Sequence, residues 1–110
     1  MAEAFKDREK DFERKWAHDE ELRFKVTARR NKLLGLWAAG EMGLADAKAN
    51  DYAMSVVQAD FEEAGDEDVF RKIRRDFDAA KLTHSDHVIR RKMEELLALA
   101  GEQIMSETKK

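Results

Sequence analysis

The groups in this chain that could do chemistry are its three histidines, its serines and three clusters of basic residues. His84 and His87 stand one helical turn apart with Asp86 between them, a spacing at which two imidazoles can share a metal ion. No further ligand stands at a diagnostic distance, so the pair reads as surface residues of a capped turn, and no metal site is expected. Ser55, Ser85 and Ser106 have no glycine elbow that would make any of them a nucleophile. His18 titrates in a useful range, but one histidine does not make a pH switch. The carboxylates are interleaved with Lys and Arg and read as solvated helix faces. No catalytic residue and no cofactor is expected.

The basic clusters are Arg29-Arg30-Asn31-Lys32, Arg71-Lys72-Ile73-Arg74-Arg75 and Arg90-Arg91-Lys92. If they converged, Arg30, Arg75 and Arg91 could hold an anion such as a nucleotide phosphate. The chain would then be a ligand-binding helical bundle, a nucleotide or anion sensor. No glycine-rich phosphate loop adjoins any cluster. The simpler reading is that these residues neutralise acidic groups on neighbouring helices.

The remaining binding chemistry lies at the N-terminus. Nine of the ten residues from Lys6 to Lys15 are charged, and Phe5, Phe12 and Trp16 stand among them. At about 100° per residue the three rings fall within roughly 40° of one another, so a helix here carries one narrow aromatic stripe. Pairs three apart are opposite in charge, as in Lys6–Glu9 and Arg8–Asp11, while pairs four apart are mostly alike, as in Asp7–Asp11 and Glu9–Glu13. Each pair contributes only about 0.2–0.5 kcal/mol of either sign, and the sum is close to zero. A helix of this length is marginal in water. The segment is therefore expected to be largely disordered when free and helical when bound, with its stripe in a partner's groove.

Residues 19–106 supply the body that carries this arm. The first helix is expected over about 19–39. Asp19, Glu20 and Glu21 stand at its positive end, and Leu22, Val26, Leu33 and Trp37 form its core face. That face is rotated by about 80° from the aromatic stripe on a continued wheel, so the arm does not simply prolong it. Gly40 and Gly43 flank a turn. The second helix is expected over 44–64, with Tyr52, Ala53, Val56, Val57, Phe61 and Ala64 on one face and Asp60 as its polar exception. Gly65 stops it, and Asp66 is positioned to cap the third helix, 67–81, whose Val69, Phe70, Ile73, Phe77 and Ala80 make the clearest amphipathic pattern. Ser85 should cap the fourth, 86–105, carrying Ile89, Met93, Leu96, Leu97, Ala100 and Ile104. Gly101 should weaken its last turns, and residues 107–110 are expected to fray. No period-two run or hairpin turn competes with the helices. The expected fold is all-α: a four-helix bundle with a mobile, conditionally helical arm over residues 1–18.

Composition agrees and excludes several classes. The chain has 110 residues, enough for one domain, with 41% charged and 43% hydrophobic residues and no proline, a helix-favouring mixture. Its 21 basic and 24 acidic residues nearly balance, which argues against a nucleic-acid protein. It has no cysteine, hence no disulfide framework. No apolar run approaches the roughly 20 residues of a membrane span, and the first residues are too charged for a signal peptide. A cytoplasmic protein, monomeric when free and without direct membrane insertion, is expected.

The run Phe5-Lys6-Asp7-Arg8-Glu9, then Phe12-Glu13, then Ala17-His18-Asp19-Glu20-Glu21-Leu22-Arg23-Phe24-Lys25, and above all Ala28-Arg29-Arg30-Asn31-Lys32-Leu33-Leu34-Gly35-Leu36-Trp37-Ala38-Ala39, resembles the zeta subunit of alphaproteobacterial F1Fo-ATP synthase. The run Val56-Val57-Gln58-Ala59-Asp60-Phe61-Glu62-Glu63-Ala64-Gly65-Asp66 agrees. Two positions depart from the pattern. Gly40 replaces a helix former, which should end the first helix early, and Trp16 replaces a smaller aromatic. The resemblance implies an inhibitor of ATP hydrolysis. Its arm would become helical in a catalytic interface between the F1 α and β subunits, reach toward γ and block rotation. Ala4, Phe5, Arg8, Glu9, Phe12, Glu13 and Trp16 would make the partner contacts. Bound in this way, the protein would lie peripheral to the inner membrane.

Overall fold

The computed structural model describes residues 19–62 and 65–108, leaving out the side chains of Phe61 and Glu62. Residues 1–18 lie outside the described residues, and with them every expected arm contact from Ala4 to Trp16. Four helices follow one another: α1 (Glu20–Glu41), α2 (Asp46–Glu62), α3 (Asp66–Ala79) and α4 (Asp86–Thr108). The described residues contain no strand. The expected all-α four-helix domain is therefore what forms.

The start of α1 is set by Asp19. Its backbone is extended, with φ −107° and ψ 111°, and its carboxylate accepts a hydrogen bond from the Leu22 amide at 3.1 Å. Gly40 does not end this helix. The Met42 amide still donates to the Ala38 carbonyl at 3.0 Å, and the chain turns only at Gly43, where φ is +79°. There the lack of a Cβ admits a left-handed residue, and the Leu44 amide closes the turn on the Ala39 carbonyl at 2.8 Å. The interior Gly40 costs only propensity, which tertiary packing overrides.

Of three other boundaries, two differ from expectation and one agrees. Asp66 is the first residue of α3 rather than its cap. Gly65 occupies the cap position without a side-chain bond, and the Asp66 carboxylate is drawn to Arg30. Ser85 does cap α4, its hydroxyl accepting from the Val88 amide at 3.2 Å. The end of α4 does not stop at 105, and Glu107 and Thr108, expected to fray, are helical. It runs to Thr108 because Arg29 grips Glu107 at 2.9 Å, and Gly101 is buried within it.

Helix α1 is the axis of the domain, packing most extensively on α2 and then on α4. The larger core joins all four helices through Leu34, Ala38, Val56, Val69, Phe70, Ile73, Phe77, Ile89 and Met93. A smaller cluster, Val26 with Ala100 and Ile104, closes the end where the arm joins. Leu22, Leu33 and Trp37, expected at the centre of the α1 face, are only partly buried at the rims of these clusters. The centre of α1 is instead Arg30, Asn31, Leu34, Gly35, Ala38 and Ala39, all buried. A helix covered on two sides buries more than one stripe, and a single wheel position does not describe it. Gly35 is where α1 and α2 come closest: a Cβ there would stand 2.6 Å from the Cα of Ala53.

Candidate functional site

The three arginines considered for anion binding lie on three different helices. Arg30 is fully buried in α1. Its Nη2 donates to Asp66 Oδ1 at 2.8 Å, and its Nε donates to Asn31 Oδ1 at 2.8 Å. Asn31 Nδ2 in turn donates to Asp60 Oδ2 at 3.0 Å. The polar exception on α2 is thus the partner of a buried amide on α1, and a charged chain ties α1, α2 and the start of α3 together. Arg91 is exposed on α4, 3.7 Å from Glu95. Arg75 is exposed on α3 and acts on the nearby Tyr52 through its charge. Beside Arg30, it is Arg90 rather than Arg91 that lines a small cleft with Asp66. The clusters are otherwise engaged with carboxylates: Arg29 with Glu107, Lys72 with Asp76, Arg74 with Asp78 and Asp86, Arg90 with Glu67, and Lys92 with Glu95. Unpaired, a buried guanidinium would be strongly destabilising; paired and hydrogen-bonded, it fixes geometry.

Local electrostatics follow from these pairs. Arg90 donates to both oxygens of Glu67 at 2.7 and 3.2 Å, and this bonding holds the Glu67 carboxyl below the usual carboxylate range. Burial, reinforced by donation to Asp76 Oδ2 at 2.7 Å, pushes the Tyr52 hydroxyl well above its ordinary value, so Tyr52 stays a neutral donor. Lys72 lies over the same ring, 5.1 Å from its centroid.

The two histidines expected at the surface differ in burial. His87 is exposed, whereas His84 is half-buried, its ring 4.9 Å from Phe77 and 6.0 Å from Trp37. Its Nε2 stands 3.7 Å from Glu41 Oε1. Among the described residues no three His, Cys, Asp or Glu side chains gather as metal ligands. Ser55 donates its hydroxyl to the Tyr52 carbonyl, a local helix contact.

One surface stands out near the start of α1. Phe24 on α1 is 56% exposed and Met54 on α2 is 51% exposed. Together with Ala28 and Val57 they line a groove of about 700 Å³ that opens between α1, α2 and the end of α4. Lys25, Arg29 and Lys32 stand along it. The sequence reading did not single out this face. Its only sign was Phe24 and Met54 standing off the core periodicity of their helices.

Fold and surface together define a small all-helical domain, most of its basic clusters paired with carboxylates and one groove open between α1, α2 and the end of α4. The chain matches the family model of ATPase inhibitor subunit zeta over residues 1–103, and it belongs to that family. It is therefore a regulator of an ATPase and not the catalyst, as the Ala28–Ala39 run implied. A solved structure, determined by NMR in solution, is similar. It shares 49% identity, covers 78% of this chain and 98% of its own, and superposes with a TM-score of 0.69. No curated protein matches the chain. No helix among the described residues is long and apolar enough to cross a membrane.

Proposed function

We propose that the protein inhibits ATP hydrolysis by F1Fo-ATP synthase by inserting residues 1–18 as a helix into a catalytic interface between the α and β subunits. The arm reaches toward γ and stops rotation. The observation that carries this reading is that the family match begins at residue 1 and so includes the charged arm with Phe5, Phe12 and Trp16. Burying each ring contributes roughly 1.5–3 kcal/mol, against the cost of ordering the segment. Ala4 lies against the groove beside Phe5, and Arg8, Glu9 and Glu13 set register and association rate more than affinity. The extended, capping Asp19 supports a two-part molecule, since the helix of the bundle starts afresh there. The bundle stays outside and keeps the arm at high local concentration. Rotation in the synthesis direction tends to expel the wedge, so hydrolysis is suppressed more than synthesis. Bound protein sits on the cytoplasmic F1 head, peripheral to the inner membrane.

The test is hydrolysis by the cognate F1 with intact protein and with a form lacking residues 1–18. Loss of inhibition is expected. Equal inhibition by the truncated form overturns the arm reading. Phe5→Ala combined with Phe12→Ala should weaken inhibition without changing the melting of the bundle.

A further inference from the structure

We infer that Arg29 is a positioning residue for inhibition: by clamping the last two turns of α4 it holds the first turns of α1, to which residues 1–18 are joined. This rests on the arm reading and deepens it by naming what sets the arm's starting point. The geometry of the clamp carries the argument. Arg29 Nη1 donates to Gln103 Oε1 at 2.8 Å, and Nη2 donates to both carboxylate oxygens of Glu107 at 2.9 and 3.0 Å. Gln103 and Glu107 stand four residues apart, so one planar guanidinium grips α4 at two points a turn apart. These turns depend on that grip. They begin at Gly101, which weakens a helix, and beyond it the only buried residue of α4 is Ile104. Glu107 also relieves the repulsion of Arg29 by Lys25 and Lys32, four before and three after it on α1.

The clamped turns are what the start of α1 packs on. The near-end cluster is drawn from α1 and α4 alone. Val26, Ala100 and Ile104 are buried in it, and Leu22 and Met105 are among the residues packed against them. Leu22 is the one apolar side chain in the first turn of α1, and Ile104 and Met105 come from the turns that Arg29 holds. If those turns fray, Leu22 and Val26 lose that cover. The helix start then keeps only exposed supports, the Asp19 cap and the Lys25–Glu21 pair at 3.3 Å. Residues 20–26 would join the segment that must be ordered on binding. The added conformational entropy and the lower effective concentration of the arm both weaken inhibition.

The test uses the full chain with Glu107→Ala, Glu107→Arg and the swap Arg29→Glu/Glu107→Arg, beside the form lacking residues 1–18. Amide hydrogen exchange is measured on the free protein. Inhibition of cognate F1 is titrated well below the melting temperature, where every variant is folded and lost stability alone does not weaken it. Glu107→Ala should speed exchange at Phe24 to Val26 and at Ile104 to Thr108, and leave exchange at Ile73, Phe77 and Ile89 unchanged. It should weaken inhibition by up to about fivefold, the size set by a partly exposed ion pair. Glu107→Arg, which sets two cations together, should do more, and the swap should return both readouts toward wild type. Wild-type exchange at Phe24 to Val26 in Glu107→Arg overturns the coupling. Faster exchange there with wild-type inhibition overturns the positioning role. Exchange restored by the swap while inhibition stays weak would show that these side chains touch F1 directly, which also overturns the proposal. Equal inhibition with and without residues 1–18 discards the arm reading instead, while exchange still decides the coupling.

Discussion

The two ends of the bundle are built from different material. Away from the arm, nine buried apolar residues from all four helices interlock, with Trp37 and Phe77 in ring contact at 5.6 Å. Toward the arm, three buried residues suffice, Val26, Ala100 and Ile104, and the closure around them is polar. Arg29 reaches Gln103 and Glu107 there, and the Arg30–Asn31–Asp60 chain lies between the two clusters. Apolar burial is strong and tolerant of geometry. A buried polar chain stabilises only when every partner is in place. The far end thus anchors the fold, and the near end sets the position of the start of α1. Local opening is expected to begin at the near end, where few apolar contacts must be broken.

Substitutions can break this contrast in order of expected size. Phe77→Ala removes the largest fully buried apolar side chain of the far core and should cost about 3–5 kcal/mol in denaturant unfolding. The loss should be global, with hydrogen exchange accelerated in all four helices.

Arg30→Ala should cost about 2–4 kcal/mol, because it leaves a cavity and strips Asn31 Oδ1 of its donor. Arg30→Met fills the volume and should cost no more than about 1.5 kcal/mol, since a paired buried charge is often replaceable by a hydrophobe. Equal costs for the two would mean that the charge itself stabilises the near end.

Gly35→Ala tests the boundary between the two regions. Its Cβ would press on the Ala53 backbone and force α1 from α2, costing about 1–3 kcal/mol despite the better helix propensity of alanine. A neutral result in thermal melting would show that the near end yields readily.

The smallest effect belongs to Glu67→Gln. The folded-state carboxyl of Glu67 is held down by Arg90, so its contribution is present above the unfolded-state pKa and lost as pH falls through the folded-state value. Wild type and variant should therefore differ slightly in stability at neutral pH and converge in acid. The difference should also shrink with salt, because the pair is exposed. A difference that persists in acid would rule out the ion pair as its cause.

The legibility of each element follows how many of its faces are covered. Helix α3 is covered on one side, and its Val69, Phe70, Ile73 and Phe77 could be read directly from their spacing. Ala80, expected on the same face, falls beyond the helix and is exposed. Helix α1 is covered by both α2 and α4, so its interior holds an arginine, an asparagine and a glycine that no hydrophobic pattern selects. The arm's stripe was legible because only three rings stand among its charges, though it lies outside the described residues. The exposed face of Phe24 and Met54 was not, because a wheel shows which residues share a side but not which side a neighbour covers.

By itself, the sequence determined the number of helices, the cap at Ser85 and the family. These depend on local propensity, on periodicity and on a contiguous signature. Tertiary structure alone decided that Arg30 lies inside, that Asp60 and the exposed Asp66 join its network, and that α4 continues to Thr108. It also decided that Phe24 and Met54, thirty residues apart, form one surface. Each of these depends on which residues distant in the chain become neighbours, and burial and charge pairing act only after the helices have packed.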